Sequence, residues 1–253
     1  MKKINKSLIL KAKKGDPQSQ HELAFEYWSG ENLKQDFSEA MKWWKLSASN
    51  GFGKAYFNLG SMYYNGDGVP ANYKKAYYYL NLSIKKKHPY QGTSYMFLGS
   101  KFYLDGNYVK KNNKKGIKYL EIAAKKNCIR SQFLLGSYYD EGEETYNIKK
   151  NKNKAFKFYK MAADNNFIPA LKALVAMYVN GQGIKKNLEK AFKYLSKIET
   201  TDNDKLLEEM PLFPKDRIKI KKMIDKQKLK ISKILFKNRK NIESKQRLDD
   251  MSL

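Results

Sequence analysis

The side chains that most often perform catalysis or bind metals are few in this chain and far apart. Its two histidines are His21 and His88, and its single cysteine is Cys128. They match no Cys/His metal-binding spacing, and no nucleophile elbow is present. The sequence GDGVP at 66–70 lacks the Gly-Lys-Ser/Thr ending of a phosphate-binding loop, so it indicates a hairpin turn. We therefore expect no metal, no cofactor and no enzyme activity; an enzyme with an unrecognised site is the least favoured reading.

One cluster of carboxylates could hold a cation or a basic segment. It consists of Asp140, Glu141, Glu143 and Glu144. Its spacing lacks the ligand pattern of an EF-hand, so calcium is not expected. A basic peptide or the chain's own tail would fit the charge, but a solvated loop is the commoner setting for such a run.

The charge balance favours acidic partners. The chain has 253 residues and a net charge of +26, with 42% apolar and 14% aromatic residues, so we expect a folded core. Only four of the 51 basic residues are arginines, which leaves 47 lysines. Surfaces that read nucleic-acid bases usually use arginine, whose planar group binds bidentately. Biased, AT-rich coding also explains this lysine excess.

The pattern of hydrophobicity predicts neither a secretory signal nor a membrane span. The basic N-terminus has only a short apolar stretch, at 8–10, which is too short for a secretory signal. No window approaches the roughly 20 apolar residues of a membrane span. We expect a soluble, cytoplasmic protein, and export by a non-classical route is the alternative.

A five-fold internal repeat organises most of the chain. Its first anchor is a leucine followed by a small residue and, four positions after the leucine, by an aromatic residue. The leucines are spaced by 36, 39, 37 and 39 residues. In the fifth copy a valine replaces the small residue. The first anchors are Leu23-Ala24-Tyr27, Leu59-Gly60-Tyr63, Leu98-Gly99-Phe102, Leu135-Gly136-Tyr139 and Leu174-Val175-Tyr178.

A second anchor follows each first one, so each unit reads as two helices joined by a turn that contains glycine. These second anchors are Ala40, Ala76, Gly116, Ala155 and Ala191. An Asp or Asn lies four residues before each of them, where it would cap the second helix. The predicted caps are Asp36, Asn72, Asn112, Asn151 and Asn187.

These residues resemble the Sel-one-like repeat, a tetratricopeptide-related α-hairpin; the clearest copy is AYFNLGSMYYNGDGVPANYKKAYYYL at 55–80. The resemblance implies an all-α, right-handed α-solenoid that acts as an adaptor or scaffold for protein complexes. A secreted branch with paired cysteines has been linked to penicillin binding, but this chain lacks those cysteines. Copy three has a displaced single turn glycine, and copy four carries the insert EETYN at 143–147.

We therefore predict three regions. Residues 1–15 form an N-terminal capping helix, and residues 16–198 form five repeats at about 16–53, 54–92, 93–129, 130–168 and 169–198. Residues 199–253 form a basic helical extension. Within it, residues 215–247 have apolar positions at helical spacing, including Ile220, Met223 and Ile224. Three roles for this helix remain open: a cap on repeat five, a nucleic-acid- or membrane-binding helix, or a dimerisation helix.

Two surfaces are candidates for function. If the anchor positions form the core, other positions of the first helices face the concave groove of the solenoid. These are the positions two before each leucine and two, five and six after it. His21 and Phe25 belong to this wider set, and the predicted partner-binding residues are Trp28, Phe57, Ser61, Tyr64, Asn65, Met96, Ser100, Tyr103, Ser137 and Asp140. Packing between helices is the competing role for any one of these aromatics.

The second surface is a basic ridge along the repeat turns. Its residues are Lys110, Lys111, Lys149, Lys150, Lys185 and Lys186. A ridge of this kind binds RNA, acidic protein or anionic lipid, although aromatic residues for base stacking are not evident along it. We favour a protein-interaction scaffold that binds a protein or peptide, with nucleic-acid or anionic-surface binding as the alternative. The partner and the oligomeric state do not follow from the sequence.

Overall fold

The computed structural model of the protein describes residues 6–198 and 218–226. Predictions that fall on residues 1–5, 199–217 and 227–253, including most of the basic extension, lie outside the described residues. Within the described part every regular element is helical, and the only β-type pairing recorded there is an isolated bridge between Glu143 and Ile148. The all-α fold class is therefore confirmed. The α-helices are α1 (Lys6–Lys13), α2 (Pro17–Ser29), α3 (Phe37–Ser49), α4 (Gly53–Asn65), α5 (Tyr73–Lys85), α6 (Gln91–Phe97), α7 (Asn113–Lys125), α8 (Ile129–Glu141), α9 (Lys152–Asp164), α10 (Ile168–Asn180) and α11 (Leu188–Leu195).

The described residues fall into two compact units, the first ending at Lys150 and the second beginning at Asn151. In the first unit α1 packs on α2, where the Gln20 side-chain amide donates a hydrogen bond to the Ala12 carbonyl at 3.1 Å. Each later helix of this unit packs on its neighbours along the chain. In the second unit α10 packs on both α9 and α11.

The five predicted caps begin the second helix of each hairpin, as expected. Each Asp or Asn side chain accepts a hydrogen bond from the backbone N–H three residues later. For Asn72 and Asn112 the distance is 2.9 Å, to Lys75 N and Lys115 N. The bonds of Asp36, Asn151 and Asn187 measure 3.0, 3.0 and 2.8 Å. These bonds satisfy donors that the helix itself leaves unpaired.

The anchor positions form the core, as the helical spacing predicts. Leu59, Ala76 and Leu80 are fully buried in the second repeat. Gly60 allows its helix to approach closely, because a Cβ there would lie only 2.8 Å from Leu80 Cγ. In the second repeat the small residue of the first anchor is therefore required by packing.

The third repeat departs from this plan. After α6 the chain continues as a π-helical segment, Leu98–Leu104, and Asp105 N donates to Ser100 O at 2.9 Å, five residues back. The extra residue per turn rotates Tyr103 and Leu104 inwards, so they are 5% and 0% exposed. The space is available because residue 116 is glycine: a Cβ there would lie 2.6 Å from Leu104 Cγ.

In repeats two, three and five the turn between the paired helices uses two left-handed backbone positions. In the second repeat these are Gly66 and Gly68, with φ of 84° and 69°. The fifth repeat also uses two glycines. In the third repeat the first position is Gly106, but the second is Tyr108, with φ of 68°. Residues with a Cβ rarely adopt this region.

The insert of the fourth repeat is ordered. Its residues Glu144–Tyr146 form a 3₁₀ turn, and Asn147 takes a left-handed conformation with φ of 55°. Tyr146 donates from its hydroxyl to Asp105 Oδ1 at 3.2 Å, and Asn113 Nδ2 donates to Thr145 O at 3.2 Å. The insert is thereby fastened to the turn of the third repeat.

Only a short part of the basic extension is described. Residues 218–226 are helical, and Ile220 and Ile224 on one face of that helix are buried at 0% and 5% exposure. Within residues 6–198 and 218–226, each helix is too short or too polar to cross a lipid bilayer.

Candidate functional site

The first helices of repeats one and two enclose a hollow that opens to solvent. Its cavity volume is about 160 Å³. Two of its lining residues come from α2 and four from α4, and the others are Trp44 of α3 and Asp67 of the turn after α4. We call it the α2–α4 hollow; its lining residues are Phe25, Trp28, Trp44, Phe57, Asn58, Ser61, Met62 and Asp67.

The floor and walls of the hollow are apolar. Trp44 and Met62 are 2% and 1% exposed, so they form a fixed floor. Phe25 and Trp28 pack together with ring centroids 5.6 Å apart, and Phe25 remains 43% exposed. Phe57 is braced from behind by the rings of Tyr90 and Phe97, at 6.4 and 5.9 Å.

Polar groups lie at one side of this apolar surface. Asn58 Nδ2 lies 2.9 Å from Nε2 of the buried His21. Burial lowers the pKa of His21 to about 4, with a further effect from the Lys54 ammonium. The imidazole is therefore neutral at pH 7, and its Nε2 accepts the Asn58 hydrogen bond. That bond orients the Asn58 amide beside the hollow, where Ser61 and Asp67 add further polar groups.

Three of the predicted groove residues, Trp28, Phe57 and Ser61, line this hollow together. Asn65 is exposed, and its side chain donates to Asp67 Oδ2 at 3.3 Å. Tyr64 packs between Tyr73, Phe97 and Phe102, and its hydroxyl accepts a hydrogen bond from Asn107 at 3.1 Å. Tyr64 therefore serves packing between repeats two and three.

The remaining predicted groove residues do not line the hollow. Met96 is half-buried and lies 3.9 Å, sulfur to sulfur, from Cys128. Ser100 donates to its own helix, at Met96 O, at 2.8 Å. Ser137 and Asp140 are half-buried on α8.

Two sequence-based expectations about orientation are wrong. Tyr103 does not face a groove, because the π-helical segment turns it into the core, where its hydroxyl is 2.8 Å from the Tyr77 hydroxyl. His21 is only 4% exposed, because it packs against Trp44 and Phe52, with ring centroids 6.3 and 5.1 Å away. Substituting Tyr103 would therefore disturb packing before it affected binding.

The lysines of the basic ridge are all exposed. Lys110, Lys111, Lys149 and Lys150 belong to the first unit, and Lys185 and Lys186 to the second, so the structure describes two separate parts of the ridge. Lys111 Nζ lies 5.6 Å from the centroid of the Tyr146 ring. One aromatic ring, that of the half-buried Tyr146, therefore lies beside a lysine of the ridge.

Sequence reasoning missed four residues of the hollow. The sequence predicts Trp44 and Met62 as core residues, and both are indeed buried in addition to lining the hollow. Asn58 immediately precedes the anchor leucine, and Asp67 lies inside the turn glycines, so neither falls on the expected groove positions. Only Asp67 had a usable signal, because an acidic residue in a tight turn is placed at the rim of the hairpin.

Comparison with known proteins identifies the repeat. The sequence profile of the Sel1 repeat matches residues 17–52, 53–88, 93–128, 129–167 and 173–198. A curated relative, the putative sel1-like repeat-containing protein L21 of Acanthamoeba polyphaga mimivirus, is 31% identical over 146 residues. That alignment covers 56% of this chain and 25% of the relative, so the chain spans about a quarter of the relative's length.

Two solved structures have a similar fold. One is c5321, a protective antigen of uropathogenic Escherichia coli with an SLR fold, at a TM-score of 0.64 and 28% identity over 77% of this chain and 40% of that one. The other is a Sel1 repeat protein from Oxalobacter formigenes, at a TM-score of 0.63 and 28% identity over 77% and 75%. Sel1 repeats are in general scaffolds for protein interactions. With five repeat matches that cover more than half of its length, this chain belongs to the Sel1 repeat family.

Proposed function

We propose that the protein is a non-catalytic scaffold that binds a protein or peptide partner in the α2–α4 hollow. The observation that carries this proposal is a solvent-open hollow with an apolar floor and polar groups at one side. Small-molecule and peptide anchors bind in concave, mostly apolar sites where a few polar groups fix orientation.

The hollow has the chemistry to receive one apolar side chain. Phe25 presents an exposed ring, and a guest side chain that covered it would also contact Trp28 and Phe57. Burying a Leu- or Phe-sized side chain contributes about 1.5–3 kcal/mol. The Asn58 amide, Ser61 hydroxyl and Asp67 carboxylate offer hydrogen bonds to the guest's main chain, which would set its direction.

The surroundings favour an acidic residue beside that anchor. Lys54 Nζ lies 4.3 Å from the centroid of the Tyr90 ring, and Tyr90 stacks on Phe57 of the hollow wall. An ammonium at this wall attracts a carboxylate two or three residues along the guest chain. The net charge of +26 acts in the same direction at longer range.

Selection of peptides from a random displayed library on the full-length protein tests this proposal. We expect the selected peptides to share a large apolar residue followed by an acidic residue. Phe25→Ala should weaken their binding about tenfold or more, since it removes one wall of the hollow. Ser61→Trp, which fills the hollow, should abolish it.

The matched control is Tyr78→Ala, because Tyr78 is also an exposed aromatic residue, at 59% exposure, but does not line the hollow. Its affinity for the same peptides should equal that of the wild type. Selected peptides that bind Ser61→Trp as tightly as the wild type would show that the partner site is elsewhere.

A further inference from the structure

Tyr108 occupies a backbone position that suits glycine. The equivalent turn residues of repeats two and five are Gly68 and Gly183, and that of repeat four is Asn147, all with positive φ. Asn tolerates this conformation, whereas a tyrosine there is strained by its Cβ. Such strain is retained where the surrounding structure or a function requires it.

The strained turn displays the tyrosine ring to solvent. Tyr108 is 52% exposed, and its ring centroid lies 5.7 Å from that of Tyr77. Tyr73, one helical turn before Tyr77 on α5, is 43% exposed and lies 5.2 Å from Tyr64. Tyr73 and Tyr108 are thus the two accessible ends of one series of packed rings that runs through Tyr64, Phe102 and Tyr77. We call these two rings the tyrosine platform.

Both rings of the platform are supported by the same buried aromatic residue, each through one intervening tyrosine. Phe102 is fully buried, and its ring contacts Tyr64 at 5.9 Å and Tyr77 at 5.3 Å. Tyr64 supports Tyr73, and Tyr77 supports Tyr108. The platform is therefore preorganised, and a ligand that stacks on it has little side-chain entropy to remove.

Lysines follow both tyrosines of the platform closely in the sequence. Lys74 follows Tyr73, and Lys110 and Lys111 follow Tyr108 within three residues; all three lysines are exposed. Three residues span at most about 11 Å, so these ammonium groups reach a strand whose bases stack on the rings. The carboxylate nearest in sequence to Tyr108 is Asp105, which is ion-paired with Lys101 at 3.1 Å.

We propose that the tyrosine platform, with Lys74, Lys110 and Lys111, binds single-stranded nucleic acid. Accessible aromatic faces stack on unpaired bases, and the lysines neutralise the adjacent phosphates. The site offers lysines rather than the bidentate arginine fork, so it binds without sequence preference. An acidic peptide would use the charges but has no flat group for the rings, so the nucleic acid is favoured.

Fluorescence anisotropy of the full-length protein with a labelled oligouridine of about 12 nucleotides tests this site. Tyr108→Gly should raise the Kd at least about tenfold, and Tyr73→Ala should do the same. Tyr108→Gly should also keep or raise the Tm, because glycine relieves the left-handed strain. A loss of binding therefore cannot be a loss of folding. Tyr78→Ala is the matched control and should leave the Kd unchanged, because Tyr78 is an exposed tyrosine of α5 whose ring packs on Tyr79 rather than on a ring of the platform.

The salt dependence of binding separates the contribution of the lysines from that of the tyrosine rings. The slope of log K against log salt should fall in magnitude by about 1.4 in the double variant Lys110→Gln/Lys111→Gln, because two phosphate contacts are lost. Phe25→Ala, which damages the α2–α4 hollow, should leave oligouridine binding unaltered. Failure of the peptide site and failure of this site are therefore distinguishable.

Three results would overturn the proposal. The first is an oligouridine Kd that is the same in the wild type, Tyr108→Gly and Tyr73→Ala, which would indicate diffuse charge attraction. The second is polyglutamate of equal charge competing as well as oligouridine, which would indicate an acidic protein ligand. The third is absence of oligouridine binding at low salt.

Discussion

Protonation of His21 should destabilise the fold as the pH falls from about 6.5 to about 4. The imidazole is 4% exposed, between Trp44 and Phe52, and burial lowers its pKa from the ordinary 6.5 to about 4. Because the folded-state pKa lies below the unfolded-state pKa, the unfolded chain binds the proton first. Stability is therefore complete above the unfolded pKa and is lost as the pH falls.

The size of the effect follows from the two pKa values. A difference of 6.5 against about 4 corresponds to roughly 3 kcal/mol, at about 1.4 kcal/mol per pKa unit. By linkage, about 2 kcal/mol of it should be lost at pH 5 and about 3 kcal/mol at pH 4. This is a large share of the 5–15 kcal/mol that typically stabilises a domain.

Urea unfolding followed by circular dichroism, at constant ionic strength between pH 7.5 and pH 4, measures this loss. The comparison variant is His21→Gln, whose amide can keep the Asn58 hydrogen bond but takes up no proton. Burial also lowers the pKa of His88. His88 and the carboxylates titrate in both proteins, so their contributions cancel when the two free energies of unfolding are subtracted. Between pH 7.5 and pH 4 the free energy of unfolding of the wild type should fall by about 3 kcal/mol relative to that of His21→Gln. Parallel curves for the two proteins would refute the assignment of a buried, neutral His21.

Two further predictions concern the third and second repeats. Gly116→Ala restores the alanine of the other repeats and raises helix propensity by about 1 kcal/mol, yet it should lower stability by about 1–2 kcal/mol. The reason is that its Cβ would overlap the fully buried Leu104; a rise in Tm on thermal unfolding would contradict the π-helical packing. Asn72→Ala should lower stability by about 1 kcal/mol through loss of the cap on α5, and Asn72→Asp should restore it. Equal Tm values for Asn72→Ala and the wild type would show that this cap contributes nothing.

Much of the fold could be predicted from the sequence because its signals are local. A cap such as Asn112 bonds to a backbone group only three residues away, and the stripe of anchor residues follows from helical geometry alone. The repeat then multiplies each signal five-fold. Predictions of this kind are confirmed throughout the described residues.

Other features depend on contacts between distant segments. LGSKFYL at 98–104 resembles LGSMYYN at 59–65, yet only the former is π-helical, since Gly116 admits Leu104 into the core. The burial of His21 depends on Phe52, more than 30 residues later. The α2–α4 hollow likewise requires the two helices to be placed side by side. Periodicity does not carry this information.

Binding of a partner in the α2–α4 hollow is tested most directly by site-specific photocrosslinking. A benzophenone amino acid in place of Phe25, the exposed aromatic wall of the hollow, should crosslink to a selected peptide, and the same amino acid at the exposed Tyr78 should not. Crosslinking at Tyr78 together with none at position 25 would contradict the proposal that the hollow holds the partner.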